Sequence, residues 1–308
     1  MRVLSSMPLK QALDTRDFAA DQAEGLRRLL GGDRLRVIAI VSGRARVGQT
    51  NVVINLAQAL ATQGKSVLIL DEGAGSDSSA ARLGLLPRGE LAQVLKEQLS
   101  LSQALLAYSS TLHVLPAREG LRRIGQLGSA AQERLRQALS TLTLKPDVLL
   151  IDLAADRRRH TLAATAAADE VVVVVSPERE SITQSYVLMK QLSQEFGRRH
   201  FYLITTKTKD DGSATALGGN MPDAAARYLN VRLKGLGSIP WDESVKHANK
   251  LFRPVVEVFP DSPASQAYRT LSQVIATWPL MRENNQHLDE FLQRLIMSSR
   301  TMESSLRV

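Results

Sequence analysis

The chain has no cysteine in its 308 residues. That excludes disulfides and thiolate-held metals and fits a cytoplasmic protein. Histidine is scarce: the five, His113, His160, His200, His247 and His287, show none of the short spacings by which imidazoles share a metal. No apolar run approaches the roughly 20 residues that cross a bilayer. The stretch Met1 to Pro8 has no signal-peptide apolar core. Acid is in deficit, with 31 Asp and Glu against 39 Lys and Arg and a net charge of +8. The excess gathers at Arg27-Arg28, Arg122-Arg123, Arg157-Arg158-Arg159 and Arg198-Arg199. Contact with a polyanion (nucleic acid, acidic protein or anionic lipid) and plain solvation of arginines at helix ends both account for such clusters.

What is present is a repeated order of apolar strand and helix from residue 36 onward. Strands are expected at 36–41, 66–70, 111–115, 147–151, 171–176, 201–205 and 235–239. Most are continuous apolar runs rather than alternating ones, which is how strands covered on both faces read. The fold class is therefore α/β: a mainly parallel sheet of seven or eight strands with helices on both faces. Functional groups in such sheets collect at the carboxyl ends of the strands. There lie the loop Ser42 to Thr50, Asp71, Asp152 and Pro177-Glu178. The loop sits between the strand Val37 to Val41 and the helix beginning near Asn51, the layout of a phosphate-binding loop. Where such a loop closes with G-K-[ST], the chain reads Gly48-Gln49-Thr50.

Two flanking segments complete the organisation. Asp21 to Leu30 reads as a short helix with Asp21 as N-cap, Glu24 three residues on and Gly31-Gly32 as its stop. Near the other end, Leu288, Phe291, Leu292, Leu295 and Ile296 fall at i, i+3, i+4, i+7 and i+8 of one helix face. That face can cover its own domain, bind a partner or lie in a membrane interface. The expected division is a lead over 1–34, a body over 35–280 and a terminal amphipathic helix and tail over 281–308.

Arg44-Ala45-Arg46-Val47-Gly48-Gln49-Thr50-Asn51, followed by Val52 to Ala57, resembles the deviant Walker A segment KGGVGKTN-x-x-x-NLA of MinD/ParA-type ATPases. With Asp21-Gln22-Ala23-x-x-Leu26-Arg27 it resembles one branch, the FlhG/FleN regulators of flagellar number and placement. Later landmarks keep the family order over roughly residues 21–280. Leu70-Asp71 resembles the start of switch I, and Leu83-Gly84-Leu85-Leu86-Pro87 the motif after it. Asp147 to Asp152 resembles Walker B, Ala168-Asp169-Glu170-Val171 to Glu178 the ADE to PE segment, Gly237 to Asp242 the G-x-I-P-x-D near the adenine, and Pro260 to Tyr268 the P-x-S-x-A-S-x-A.

The resemblance implies ATP with Mg²⁺ as cofactor. It places Gly43, Arg44, Arg46, Val47, Gly48, Gln49, Thr50, Asn51, Asp152 and Pro240 about the nucleotide, with Thr50 and Asp152 toward the metal. It also implies Asp21, Gln22, Leu26 and Arg27 as contacts to an FlhF-like flagellar GTPase. Flagellar switch-ring proteins, a transcriptional activator, an anionic membrane met by Leu288, Phe291, Leu292, Leu295 and Ile296, and a homodimer are its further implied partners. Localisation is expected to be cytoplasmic, with peripheral attachment at the inner membrane face through the terminal helix.

The departures are as specific. By position, Gln49 replaces the phosphate-binding Lys, and Ala45 and Arg46 replace glycines. Gly73 stands where an Asp orients the attacking water, so no catalytic residue is assigned. Asp156 replaces a switch II glycine, bringing negative charge near the γ-phosphate, and Thr205 takes the place of an adenine-reading Asn. Arg44 keeps the charge of the signature Lys that reaches across a dimer. Phosphoryl transfer rests on positioning and charge neutralisation, so the expectation is a contact-acting regulator in which nucleotide binding is weakened and hydrolysis lost. The alternatives are a MinD/ParA-like ATPase for spatial positioning and a basic DNA-associated regulator.

Overall fold

Alternate residues of the central strands enter opposite apolar layers, and that alternation builds the molecule. In β1 (Arg36–Val41), Val37, Ala39 and Val41 join one buried cluster while Ile38 and Ile40 join the other. β6 (Glu170–Val175) divides the same way, with Val171, Val173 and Val175 opposite Val172 and Val174. A period of two with both faces apolar produces an unbroken hydrophobic run.

The structure is a computed structural model describing residues 35–156, 158–209, 211–278 and 288–304. With β2 (Val67–Asp71), β3 (Leu106–Ala107), β4 (Leu112–Pro116), β5 (Val148–Asp152), β7 (His200–Thr208) and β8 (Arg232–Pro240), the strands form one sheet of order β3-β4-β2-β5-β1-β6-β7-β8. All neighbours pair in parallel except β3 with β4. The seven expected strands are therefore present, β7 and β8 extending further than their apolar cores. The missed strand, β3, is only two residues long and too short to carry a periodic signal.

Helices cover both faces, as expected. α1 (Gln49–Thr62) and α6 (Pro263–Ala276) lie together over the Ile38 and Ile40 face. The other face is covered by α2 (Ser129–Ser140), α3 (Arg159–Ala167), α4 (Arg179–Phe196) and α7 (Leu288–Ser304); α5 (Asp211–Leu229) packs beside β7 and β8.

The stripe expected to meet a membrane or partner has a different destination. Phe291, Leu292, Leu295 and Ile296 are buried in the same cluster as Leu68, Leu70 and Leu149, and Leu288 packs at its edge. Arg294 fastens the helix, Nε donating to the Ala167 carbonyl at 2.9 Å and the guanidinium pairing with Asp169 at 3.0 Å. The physical reason is vacancy: α2 and α3 leave β2 and β5 partly uncovered, and an apolar helix face fills that gap. Those five side chains are thereby engaged in the domain's own core. No described helix is long and apolar enough to cross a membrane.

Candidate functional site

Because seven strands run parallel, their carboxyl ends open on one edge of the sheet. A cavity of about 380 Å³ lies there, lined by the loop after β1 (Ser42, Ala45, Arg46, Gly48, Gln49, Thr50 and Asn51) and by Glu72, Gly73, Ala74, Asp77 and Arg82 after β2. Arg118 after β4, Asp152 to Ala155 after β5 and Lys207 at the end of β7 complete it.

The loop's course is enforced by close packing. A Cβ on Gly43 would lie 2.2 Å from the backbone carbon of Gln184 in α4, so only glycine lets the loop approach that helix. Gly48 is in the left-handed region at φ 102° and begins α1. Arg46 is also left-handed, φ 65°, where a side chain costs roughly 1–2 kcal/mol against glycine. Three side chains hold this strained turn. Thr206 Oγ1 donates to the Val47 carbonyl at 2.6 Å and Lys207 Nζ to the Arg46 carbonyl at 2.6 Å, while Ser42 Oγ lies 2.9 Å from the Arg44 carbonyl and shares its single proton between that oxygen and Gln49 Oε1.

Gln49 faces inward. Its Nε2 donates to Asp152 Oδ1 at 2.8 Å and to the Leu153 carbonyl at 2.5 Å, and its Oε1 accepts from Ser42 Oγ at 2.7 Å. Both amide N–H groups are therefore used within the protein, joining Walker A to Walker B, rather than offered to a phosphate. The other Asp152 oxygen accepts from Ser79 Oγ at 2.8 Å. Burial, then the charge of neighbouring Asp71, pushes the Asp152 carboxyl up to about 7. Asp71 is raised too, chiefly by burial, although the Ala80 and Gly73 N–H groups bond to it.

Switch I and switch II are tied by Glu72, a buried residue that sequence reasoning passed over. Glu72 Oε1 pairs with His160 Nε2 at 2.6 Å and accepts from Thr161 Oγ1 at 3.0 Å, while Oε2 accepts from the Ala154 N–H at 2.8 Å. The link joins the end of β2 to the loop after β5 and to the start of α3.

The predicted residues separate into two groups. Arg46, Gly48, Gln49, Thr50, Asn51 and Asp152 are brought together around the cavity; Gly43 and Val47 are buried beneath the loop as supports. Arg44 turns outward to Glu178 at 2.9 Å and Glu180 at 3.1 Å. Pro240 is at the end of β8, paired with Thr208 and outside the cavity lining. Asp156 does not line the cavity either: it pairs with Arg158 at 2.8 Å at the entrance to α3. Thr205 is buried, and its neighbour Thr206 braces the loop. Gly73 occupies a turn with no room, since a Cβ would lie 2.5 Å from Ser78 Cα and 2.8 Å from Asp71 Oδ1. Arg82, Arg118 and Lys207 were missed, yet each follows a strand's carboxyl end, where position alone marks them as candidates. Asp21, Gln22, Leu26 and Arg27 lie outside the described residues.

For a nucleotide's phosphates the cavity has suitable volume and charge, with Arg46, Arg82, Arg118 and Lys207 in its wall. On the metal side, Thr50 and Asp152 both make hydrogen bonds within the protein. Both Asp152 oxygens hold protein donors, and the Thr50 hydroxyl donates to the Asp77 carbonyl at 3.3 Å. No group of three or more metal-ligating His, Asp or Glu occurs among the described residues.

A parallel sheet with this strand-loop-helix at its carboxyl edge defines a P-loop NTPase fold of the MinD/ParA type. A family model described as "AAA domain" matches residues 35–196. The antiactivator FleN of Pseudomonas aeruginosa is 34% identical over 267 residues, spanning 87% of this chain and 95% of FleN. The chain belongs to the FlhG/FleN family. Among solved structures, a chain of the MinC:MinD cell division protein complex of Aquifex aeolicus aligns with a TM-score of 0.61 at 23% identity, over 81% of this chain and 99% of its own. The septum site-determining protein MinD of Pyrococcus horikoshii, complexed with Mg-ADP, gives 0.59 at 22%, over 79% and 96%. At those identities the likeness carries the fold.

Proposed function

We propose that this protein regulates flagellar number and placement through protein contacts, with Mg-ATP binding weakened and hydrolysis lost. The observation that carries the second half is Gln49, whose amide bridges Ser42 to Asp152 and Leu153 in the space where a P-loop Lys would meet phosphate. Gly73 adds to it, since the switch I position has neither a carboxylate nor room for one without moving Ser78. Phosphoryl transfer needs an oriented nucleophile as well as charge neutralisation, and the switch I position carries no side chain that could orient one.

The first half is supported by the similarity to an antiactivator across almost the whole of both chains. A transcriptional activator, flagellar switch-ring proteins and, through residues 21–30, an FlhF-like GTPase are the partners in this reading, and the cytoplasm is where it acts. The terminal helix has a structural role in it, because its apolar face is buried. The reading does not require a nucleotide-bridged homodimer.

The test combines two measurements on the full chain. Phosphate release from Mg-ATP is expected to stay at background, and stimulation of an FlhF-type GTPase is expected to disappear in Gln22→Ala, Arg27→Ala. Turnover above background would overturn the loss of hydrolysis. Stimulation unchanged in the double variant, with its melting curve intact, would remove residues 21–30 as the contact.

A further inference from the structure

Along one flank α2 meets α7. Along the other, an open groove of about 600 Å³ separates it from the short helices Leu91–Leu95 and Leu101–Ala104. Val94, Leu95 and Leu99 line one wall and Leu135, Ala138 and Leu142 the other, and all of these but Leu135 are half-buried rather than closed over. The charged residues of the lining, Glu97 and Arg134, are paired with each other at 2.8 Å. The groove therefore holds out no unpaired charge to orient a polar ligand. An apolar channel between helices accepts a further helix by its apolar stripe.

The described chain begins at Leu35, and the segment before it carries such a stripe. In the helix expected over Asp21 to Leu30, Ala23, Leu26 and Leu30 are spaced by three and then four residues. Leu135, Ala138 and Leu142 on the groove wall have the same spacing. Laid side by side in one direction, the rows set Ala23 against Leu135 and Leu26 against Ala138, small opposite large, with Leu30 beside Leu142. Topology imposes that direction. α2 leads through residues 141–147 into β5, and residues 21–30 lead into β1, which pairs with β5 in parallel. The connection also reaches. The Arg36 N–H bonds to the Asp147 carbonyl at 2.9 Å, five residue steps run from Leu30 to Leu35 and five from Leu142 to Asp147, and each five spans up to roughly 17 Å. Gly31-Gly32 leaves the link free to turn.

We infer that the groove beside α2 is the docking site of the chain's own residues 21–30, packed parallel to α2 with Leu26 over Ala138. Docked there, Leu26 is covered, so the segment meets a partner only after leaving the groove. That consequence rests on the reading of residues 21–30 as the contact to a GTPase; the docking itself does not.

The absence of native cysteine allows a direct test on the full chain. The pair Leu26→Cys, Ala138→Cys, oxidised with copper-phenanthroline, is expected to close an intramolecular disulfide in most of the protein, read by peptide mass. The control pair Leu26→Cys, Val274→Cys places its second thiol at a partly exposed site on α6, across the sheet, and is expected to give about a tenth of that yield or less. Ala138→Arg, which introduces no thiol, tests the same contact independently by filling the groove. Tryptic cleavage after Arg28 is expected to quicken about fivefold or more in that variant, with its melting temperature unchanged. Equal yields in the two cysteine pairs, no disulfide in either, or disulfides between chains overturn the inference, as does cleavage indifferent to Ala138→Arg. The GTPase assay separates the two readings. A disulfide at 26–138 with stimulation unaffected by Gln22→Ala, Arg27→Ala would remove the GTPase contact and leave the docking; loss of stimulation without the disulfide would do the reverse.

Discussion

Truncating Phe291 to Ala separates a built-in helix from a detachable anchor. Phe291 is 5% exposed in α7, and with Leu292 and Leu295 it lines a pinhole of about 50 Å³ against Leu68, Leu70 and Leu149. Removing the ring forfeits about 2 kcal/mol of transfer free energy. It also leaves roughly 100 Å³ of added void, about 2.4 kcal/mol at ~24 cal/mol per Å³. The sum, about 4 kcal/mol, corresponds to a fall in Tm on the order of 8 °C for a chain of this size. The assay is thermal unfolding followed by far-ultraviolet circular dichroism, with Gln293→Ala, on the exposed face of the same helix, as a control expected to shift Tm by about 1 °C or less. Co-sedimentation with phosphatidylglycerol-containing vesicles runs in parallel, and the vesicle-bound fraction is expected to be the same in wild type and variant. A Tm unchanged in Phe291→Ala, together with loss of vesicle binding, would refute the reasoning and restore the helix as a membrane element.

The remaining predictions concern charge and packing. Burial pushes the Glu170 carboxyl up to about 7, and its Oε2 has no hydrogen-bond partner among the described residues. A raised carboxyl binds its proton in the folded state first, so its contribution is fully present below the unfolded value and is lost as pH rises through about 7. Lowering pH from about 8 to 5.5 should therefore raise Tm, Asp152 acting in the same sense. Glu170→Gln should flatten that slope and stabilise the protein at pH 8 by on the order of 3 kcal/mol; a slope as steep as the wild type's would count against the burial argument. Gly43→Ala drives a methyl into the α4 backbone and should destabilise by about 1–3 kcal/mol or more, read as a lower urea midpoint.

Sequence alone determined the fold and its family, because both are written in local features. Strands such as Val37 to Val41 and Val171 to Val175 are apolar without interruption, and the landmarks from Arg44 to Tyr268 follow one another in a single order. It also determined which groups are missing, since an absent Lys at 49 or Asp at 73 is visible by inspection. What it left to the tertiary structure was where the substitutes point. Gln49 reads by position as the replacement of a phosphate-binding Lys, and its tie to Asp152 at 2.8 Å is visible only in the structure. The stripe Leu288 to Ile296 fits a membrane, a partner or a core by periodicity, and the uncovered part of β2 and β5 makes it core. Arg118 and Lys207 are 89 residues apart in the chain and ordinary in composition. They meet at one cavity because parallel strands deliver their carboxyl ends to one edge, a consequence of topology that no window of sequence contains.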